Sequence, residues 1–140
     1  MTAIALVTGA GGGLGRALVE ELRREGWTVA PVGRNRERLQ AALGATAPCI
    51  EADVSTPEGA RAAVEQCQQQ VGLPTALAHC AGTTLLAPLH RTPAEQYRAC
   101  LTANLDSAFF MLGAFVEALR QAREPGAAVL VSSVVARSGV

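Results

Sequence analysis

Short apolar runs of strand length alternate along this chain with longer segments whose apolar residues recur at helical spacing. Residues 3–7 form an unbroken apolar run that stops at Thr8-Gly9, the pattern of a strand buried on both faces. Over residues 14–24 the positions Leu14, Ala17, Leu18 and Leu22 fall on one helical stripe, and Gly26 suits the helix end. Residues 28–32 predict a second strand, and 37–43 a helix closed by Gly44. A weaker third strand is expected over 47–52. A helix follows over 57–71, with Pro57 suited to its first turn and Gly72 lying after its end. A fourth strand over 75–79 runs into Cys80-Ala81-Gly82, and residues 83–92 read as irregular. Pro93 opens a long helical region in which Leu101, Leu105, Ala108, Leu112, Phe115 and Leu119 make one wide apolar stripe. Pro125-Gly126 breaks it, and 127–131 predicts a fifth strand ending in Ser132-Ser133.

Strands alternating with crossover helices predict an α/β fold: a doubly wound parallel sheet covered by helices on both faces. No internal repeat or low-complexity linker divides the chain, so residues 1–140 are expected to form one domain. The sequence stops seven residues after Ser133, where another helix would begin, which reads as a domain truncated after its fifth strand.

Composition narrows the function classes. With 49% hydrophobic and 17% charged residues the chain is not of the disordered class. Twelve basic and twelve acidic residues give zero formal charge without a block of one sign, so neither nucleic acid nor an anionic membrane is expected as partner. All the basic residues are Arg; there is no Lys. Cys49, Cys67, Cys80 and Cys100 lack metal-ligand spacing and sit in apolar or helical stretches, which predicts reduced, structural thiols and a cytoplasmic protein. No signal segment is read at the N-terminus, and no apolar stretch is expected to approach membrane-spanning length.

The chemistry begins at Thr8-Gly9-Ala10-Gly11-Gly12-Gly13-Leu14-Gly15, between the first strand and the first helix. Glycines there permit a tight turn, close backbone approach to a pyrophosphate and close helix–sheet packing. The helix N-terminus then offers free N–H groups to phosphates. The spacing G-x-G-x-x-G is not met, because Leu14 stands where its third Gly belongs, and without Lys there is no phosphate loop of the Gly-Lys-Ser/Thr kind.

What is met is T-G-x-x-x-G-x-G, through Thr8, Gly9, Gly13 and Gly15, which resembles the short-chain dehydrogenase/reductase family. The resemblance runs through the whole chain in order and implies a Rossmann-type sheet binding a nicotinamide dinucleotide at the glycine loop, Leu14 included. Asp53-Val54 matches the pair that contacts the adenine ring in that family. Cys80-Ala81-Gly82 resembles the end of its Asn-Asn-Ala-Gly segment, with His79 and Cys80 in place of the two Asn; Ala81 and Gly82 keep the close approach to cofactor. Asn104 matches a helix Asn that holds a water of the proton relay, and Ser133 matches the catalytic Ser that orients the substrate oxygen. Ser132 is read as structural.

The second strand ends Val32-Gly33-Arg34-Asn35. A carboxylate in this place would serve the ribose hydroxyls of NAD and repel a 2′-phosphate. Gly33 followed by Arg34, with Arg36 and Arg38 nearby, points instead to NADP, with NAD as the other candidate.

The family's acid–base pair, Tyr-x-x-x-Lys, is not found: the single Tyr, Tyr97, is followed four positions later by Leu101. An unassisted Ser133 hydroxyl cannot exchange a proton at neutral pH. Three readings follow. The first is an NADP(H)-preferring oxidoreductase acting on a small carbonyl or alcohol substrate, a homo-oligomer when complete and inactive as these 140 residues alone. The second is a non-catalytic dinucleotide-binding or interaction module. The third, weaker one is a methyltransferase using S-adenosylmethionine on a similar sheet.

Overall fold

In the computed structural model, which describes residues 3–45 and 47–138, five parallel strands are ordered β3-β2-β1-β4-β5. The strands are β1 (Ile4–Thr8), β2 (Thr28–Gly33), β3 (Ile50–Glu51), β4 (Ala76–His79) and β5 (Ala127–Leu130). The helices are α1 (Gly13–Arg24), α2 (Arg36–Leu43), α3 (Pro57–Gln70), α4 (Ala94–Leu101), α5 (Ser107–Ala122) and the single turn α6 (Val135–Ser138). The chain winds outward from β1 to β2 and β3, then crosses back to β4 and β5, so the direction reverses between β1 and β4. That is the doubly wound Rossmann order, whose switch point opens a crevice at the carboxyl ends of the strands.

Alternation along the strands explains the two layers of helices. Leu6, Ala30, Val32, Ile50 and Leu77 face one way and pack with Val64 of α3 and with Met111 and Phe115 of α5. Their neighbours Val7 and Val29 face the other way, with Val19 of α1, Leu39 of α2 and Cys49. Successive side chains on a strand point to opposite faces, so apolar residues at consecutive positions need a helix layer on each.

The helix ends follow local chemistry. Gly26, at φ +84°, ends α1: its N–H bonds to Arg23 O and the next N–H, of Trp27, to Leu22 O. Asn35 and Thr56 cap α2 and α3, each side chain accepting a backbone N–H three residues on.

Four expectations need correction. The third strand is two residues rather than 47–52, because Pro48 has no N–H to place in a ladder. The irregular stretch 83–92 contains a turn of 3-10 helix, Leu89–Arg91. The long helix is continuous from Ala94 to Ala122 but is widened by a π turn at Thr102–Asp106. The residue inserted by that turn rotates the stripe: Ser107, Met111, Phe115, Ala118 and Leu119 face the core, whereas Leu101 and Leu105 are exposed. Finally, at 29 residues this helix is long and apolar enough to cross a membrane. It packs on β4 and α3 through its buried stripe, as the core helix of a sheet protein does.

Candidate functional site

The carboxyl ends of β1, β2 and β4 surround a cleft of about 450 Å³ at the switch point. Its lining brings together six residues singled out from sequence, Gly9, Arg34, Asp53, Val54, Ala81 and Gly82. Four strand-end loops separated by long stretches of chain thus meet at one place, which is what parallel strands with a common polarity do to their carboxyl-terminal turns.

The glycine loop is shaped by backbone proximity. Gly9 has φ +65°, and a Cβ there would stand 2.7 Å from the carbonyl carbon and oxygen of Cys80 and 2.8 Å from Ala81 N. A Cβ on Gly15 would run into the backbone of Gly9 itself. Loop, β4 and α1 are therefore packed backbone to backbone, and the first-turn N–H groups of α1 have no intrahelical acceptor. Gly13 has open space around its missing Cβ, and Leu14 is exposed at the helix start. At Gly9 and Gly15, where a Cβ would collide with backbone, there is none.

Below the loop Thr8 is fully buried and starts an internal hydrogen-bond chain. Its Oγ1 accepts the N–H of Ala81 at 3.2 Å and lies 2.9 Å from His79 Nδ1. His79 Nε2 lies 3.1 Å from Ser107 Oγ, whose hydroxyl donates to Ala103 O at 2.7 Å. Ala81 at one end of this chain and Ser107 and Ala103 at the other line the cleft, so both ends return to it.

Asn104 sits in the π turn. Its Oδ1 accepts Thr83 N–H and its Nδ2 donates to Thr83 O, both at 3.0 Å, and also to Cys100 O at 2.8 Å. The amide thus clamps the backbone after β4, and a Cβ on Gly82 would meet its Oδ1 at 2.5 Å. Asp53 Oδ1 accepts the Ser55 hydroxyl at 2.6 Å and the Ser55 N–H at 3.1 Å. These bonds, with the field of Arg34, hold its carboxyl below the usual carboxylate range. Ser133 is exposed beyond β5, whose Leu130 stands in register with His79. It is not among the cleft's lining residues, and its Oγ accepts the N–H of Val135 at 3.4 Å.

Three contributors were not singled out as site residues from sequence: Ser107, Thr83 and the buried ring of His79. Ser107 had a readable signal, a small polar residue beside the apolar stripe one turn after Asn104. Thr83 had none, because its part is played by its backbone. Cys67 and Cys49 are buried thiols with raised pKa, Cys67 to about 12, both through desolvation first; all four cysteines are free.

Burial pushes the His79 pKa below its ordinary 6.5. The neutral ring is therefore favoured in the folded chain and the unfolded chain binds the extra proton. Folding stability from this group is complete above pH 6.5 and is lost as pH falls below it toward the folded pKa. The expected result is a melting temperature that is flat from pH 7 to 8 and declines below about 6.5. Substituting His79→Gln should flatten that decline; an unchanged decline would assign it to other groups.

The family profile described as short chain dehydrogenase matches residues 3–140. The chain is 31% identical to a (3R)-3-hydroxyacyl-CoA dehydrogenase of Canis lupus familiaris, over 99% of this chain and 59% of that protein. It is 31% identical to the 3-oxoacyl-acyl-carrier-protein reductase FabG of Escherichia coli (strain K12), over 97% and 57%. It is 32% identical to a 3beta-hydroxysteroid dehydrogenase of Mediterraneibacter gnavus, over 97% and 51%. Among solved structures, a short-chain type dehydrogenase/reductase from Mycobacterium ulcerans superposes with a TM-score of 0.83 at 26% identity, covering 96% of this chain and 52% of that one. The chain thus spans between half and three-fifths of the length of these relatives.

Proposed function

This chain belongs to the short-chain dehydrogenase/reductase family, and from that premise we propose that its cleft binds a nicotinamide dinucleotide, NADP(H) in preference to NAD(H), for hydride transfer with a small carbonyl or alcohol. The observation that carries this reading is the meeting of Gly9, Arg34, Asp53, Val54, Ala81 and Gly82 around one crevice at the switch point. When bound, the dinucleotide supplies or accepts the hydride; the residues of this chain bind and orient. Thr8, Gly9, Gly13, Leu14 and Gly15 form the pyrophosphate cradle, and the α1 N–H groups face its charge. Asp53 and Val54 take the adenine. Ala81 and Gly82 let the rest of the dinucleotide lie close to the backbone of β4.

Arg34 is the residue that decides between the two dinucleotides. Arg34 lines the cleft, and no side chain carboxylate stands at Gly33 to oppose a phosphate. A guanidinium–phosphate contact is charge-assisted and planar. The test is direct titration of the full-length protein with NADPH and NADH. Arg34→Ala should weaken NADPH binding by about ten-fold, the size of a lost hydrogen bond to a charged group, and leave NADH binding nearly unchanged. Equal losses for both dinucleotides would overturn the assignment of Arg34 to the 2′-phosphate. Nicotinamide absorbance with a panel of carbonyls tests the transfer itself.

On the substrate side, Ser133 orients the reacting oxygen from the end of β5, and Asn104 serves the proton relay from the π turn. The acid–base step in this family belongs to a Tyr whose pKa a Lys lowers. Residues 1–140 contain one Tyr and no Lys, so these residues supply the cofactor cleft and do not turn over by themselves. Phe109, Val116 and Leu105 are exposed on the long helix, and this face pairs with a second copy in the assembled protein. A substrate class is set by residues that shape its pocket, and the carbonyl panel selects it.

A further inference from the structure

The buried chain Ala103–Ser107–His79–Thr8–Ala81 has only one consistent arrangement of protons. Ser107 spends its hydroxyl hydrogen on Ala103 O, so Ser107 Oγ can face His79 Nε2 only as an acceptor. Nε2 must then carry the proton. The other nitrogen, Nδ1, is left as an acceptor and takes the hydroxyl hydrogen of Thr8. Thr8 Oγ1 keeps a lone pair for the N–H of Ala81. Each donor on this path has one acceptor, and no buried side chain N or O among the described residues lacks a partner. His79 is 2% exposed and does not itself line the cleft.

The path has a second property. The carbonyl of Ala103 belongs to the π turn, where the widened helix bonds Ser107 N–H to Thr102 O. Within that turn the Ser107 hydroxyl donates to Ala103 O, and His79 Nε2 faces the same hydroxyl oxygen. At the opposite end Thr8 ties the start of the glycine loop to Ala81, which follows β4. One imidazole therefore spans the two halves of the cleft wall, the loop after β1 and the π turn that carries Asn104.

We infer that His79, as the neutral Nε2–H tautomer, is a positioning residue that locks the glycine loop to the π turn, so that dinucleotide affinity depends on a side chain lying outside the cleft. This rests on the dinucleotide reading of the cleft. A low-lying His79 pKa agrees with a ring kept neutral by burial. Removing the ring leaves the Thr8 hydroxyl without its acceptor and Ser107 Oγ without the Nε2–H donor, and an unsatisfied buried group is costly enough to move the wall it belongs to.

Full-length protein labelled with 15N at histidine, titrated with NADPH, tests this. The expected tautomer at pH 7 has a protonated Nε2 and a pyridine-type Nδ1 shift. His79→Phe weakens NADPH binding by about ten-fold or more. His79→Gln, whose amide offers one donor and one acceptor, recovers most of it. Ser107→Ala weakens binding as well, and the double variant His79→Phe/Ser107→Ala is no weaker than His79→Phe alone, because both act through one path. Wild-type binding with a folded His79→Phe variant that binds equally well overturns the positioning role alone. An Nδ1-protonated tautomer does the same, and decides the matter if His79→Phe does not fold. Wild-type protein that binds neither NADPH nor NADH overturns the dinucleotide reading, and the role of His79 with it.

Discussion

Gly9→Val is expected to abolish dinucleotide binding and to destabilise the protein by about 2–5 kcal/mol, combining the strain of a β-branched residue in left-handed backbone with overpacking. Two independent observations give that size. The backbone of Gly9 lies at φ +65°, a region closed to Val. Its Cβ would also stand within 2.8 Å of Cys80 and Ala81 backbone atoms, which belong to a core strand end and cannot rotate away. Either the loop or β4 must move, and both are walls of the cleft. Urea denaturation of the full-length protein, read at constant slope, measures the stability loss. NADPH titration measures the binding loss. A variant within about 1 kcal/mol of wild type would mean that the turn has room the geometry does not show.

The second large effect separates the fold from the site. Phe115→Ala removes a ring that is 1% exposed, beneath β4 and against α3, in the cluster that holds Leu6, Leu77 and Met111. Emptying such a site costs about 3–5 kcal/mol, the transfer term plus the cavity that surrounding strands cannot close. The ring is not among the cleft's lining residues. The midpoint of urea denaturation should therefore fall sharply while the folded fraction keeps wild-type NADPH affinity. A matching loss of affinity would show that the helix layer sets the cleft's shape more than the strand ends do. Together the two variants bracket the architecture: one acts where strands end, the other where helices cover the sheet.

Strand and helix identities were legible because they are carried by local alternation and by residues with special backbone chemistry. The run before Thr8-Gly9, the stripe of 14–24 and the glycines at 26 and 44 each act within a few residues. The glycine loop was legible too, since its close packing depends on the side chains that Gly9 and Gly15 lack. The third strand was over-read because apolar content says nothing about the N–H that Pro48 is missing. The stripe through Leu101 and Leu105 was misplaced for a different reason: one extra residue in the π turn shifts the helix phase, and propensity does not register a single-residue insertion.

The sequence by itself determined the order of the elements, the parallel doubly wound sheet and the membership of Gly9, Asp53, Ala81 and Gly82 in one site. Short-range patterns and the polarity of crossover connections are sufficient for the elements and the sheet, and the family resemblance supplied Asp53, Ala81 and Gly82. Only the tertiary structure decided that Asn104 spends its amide on the Thr83 backbone and that His79 joins Thr8 to Ser107. Those hydrogen bonds join residues 21 to 71 positions apart, and partners over such separations follow from strand register and helix phase. A side chain's type states what it can donate or accept; the fold alone states which atom stands opposite it.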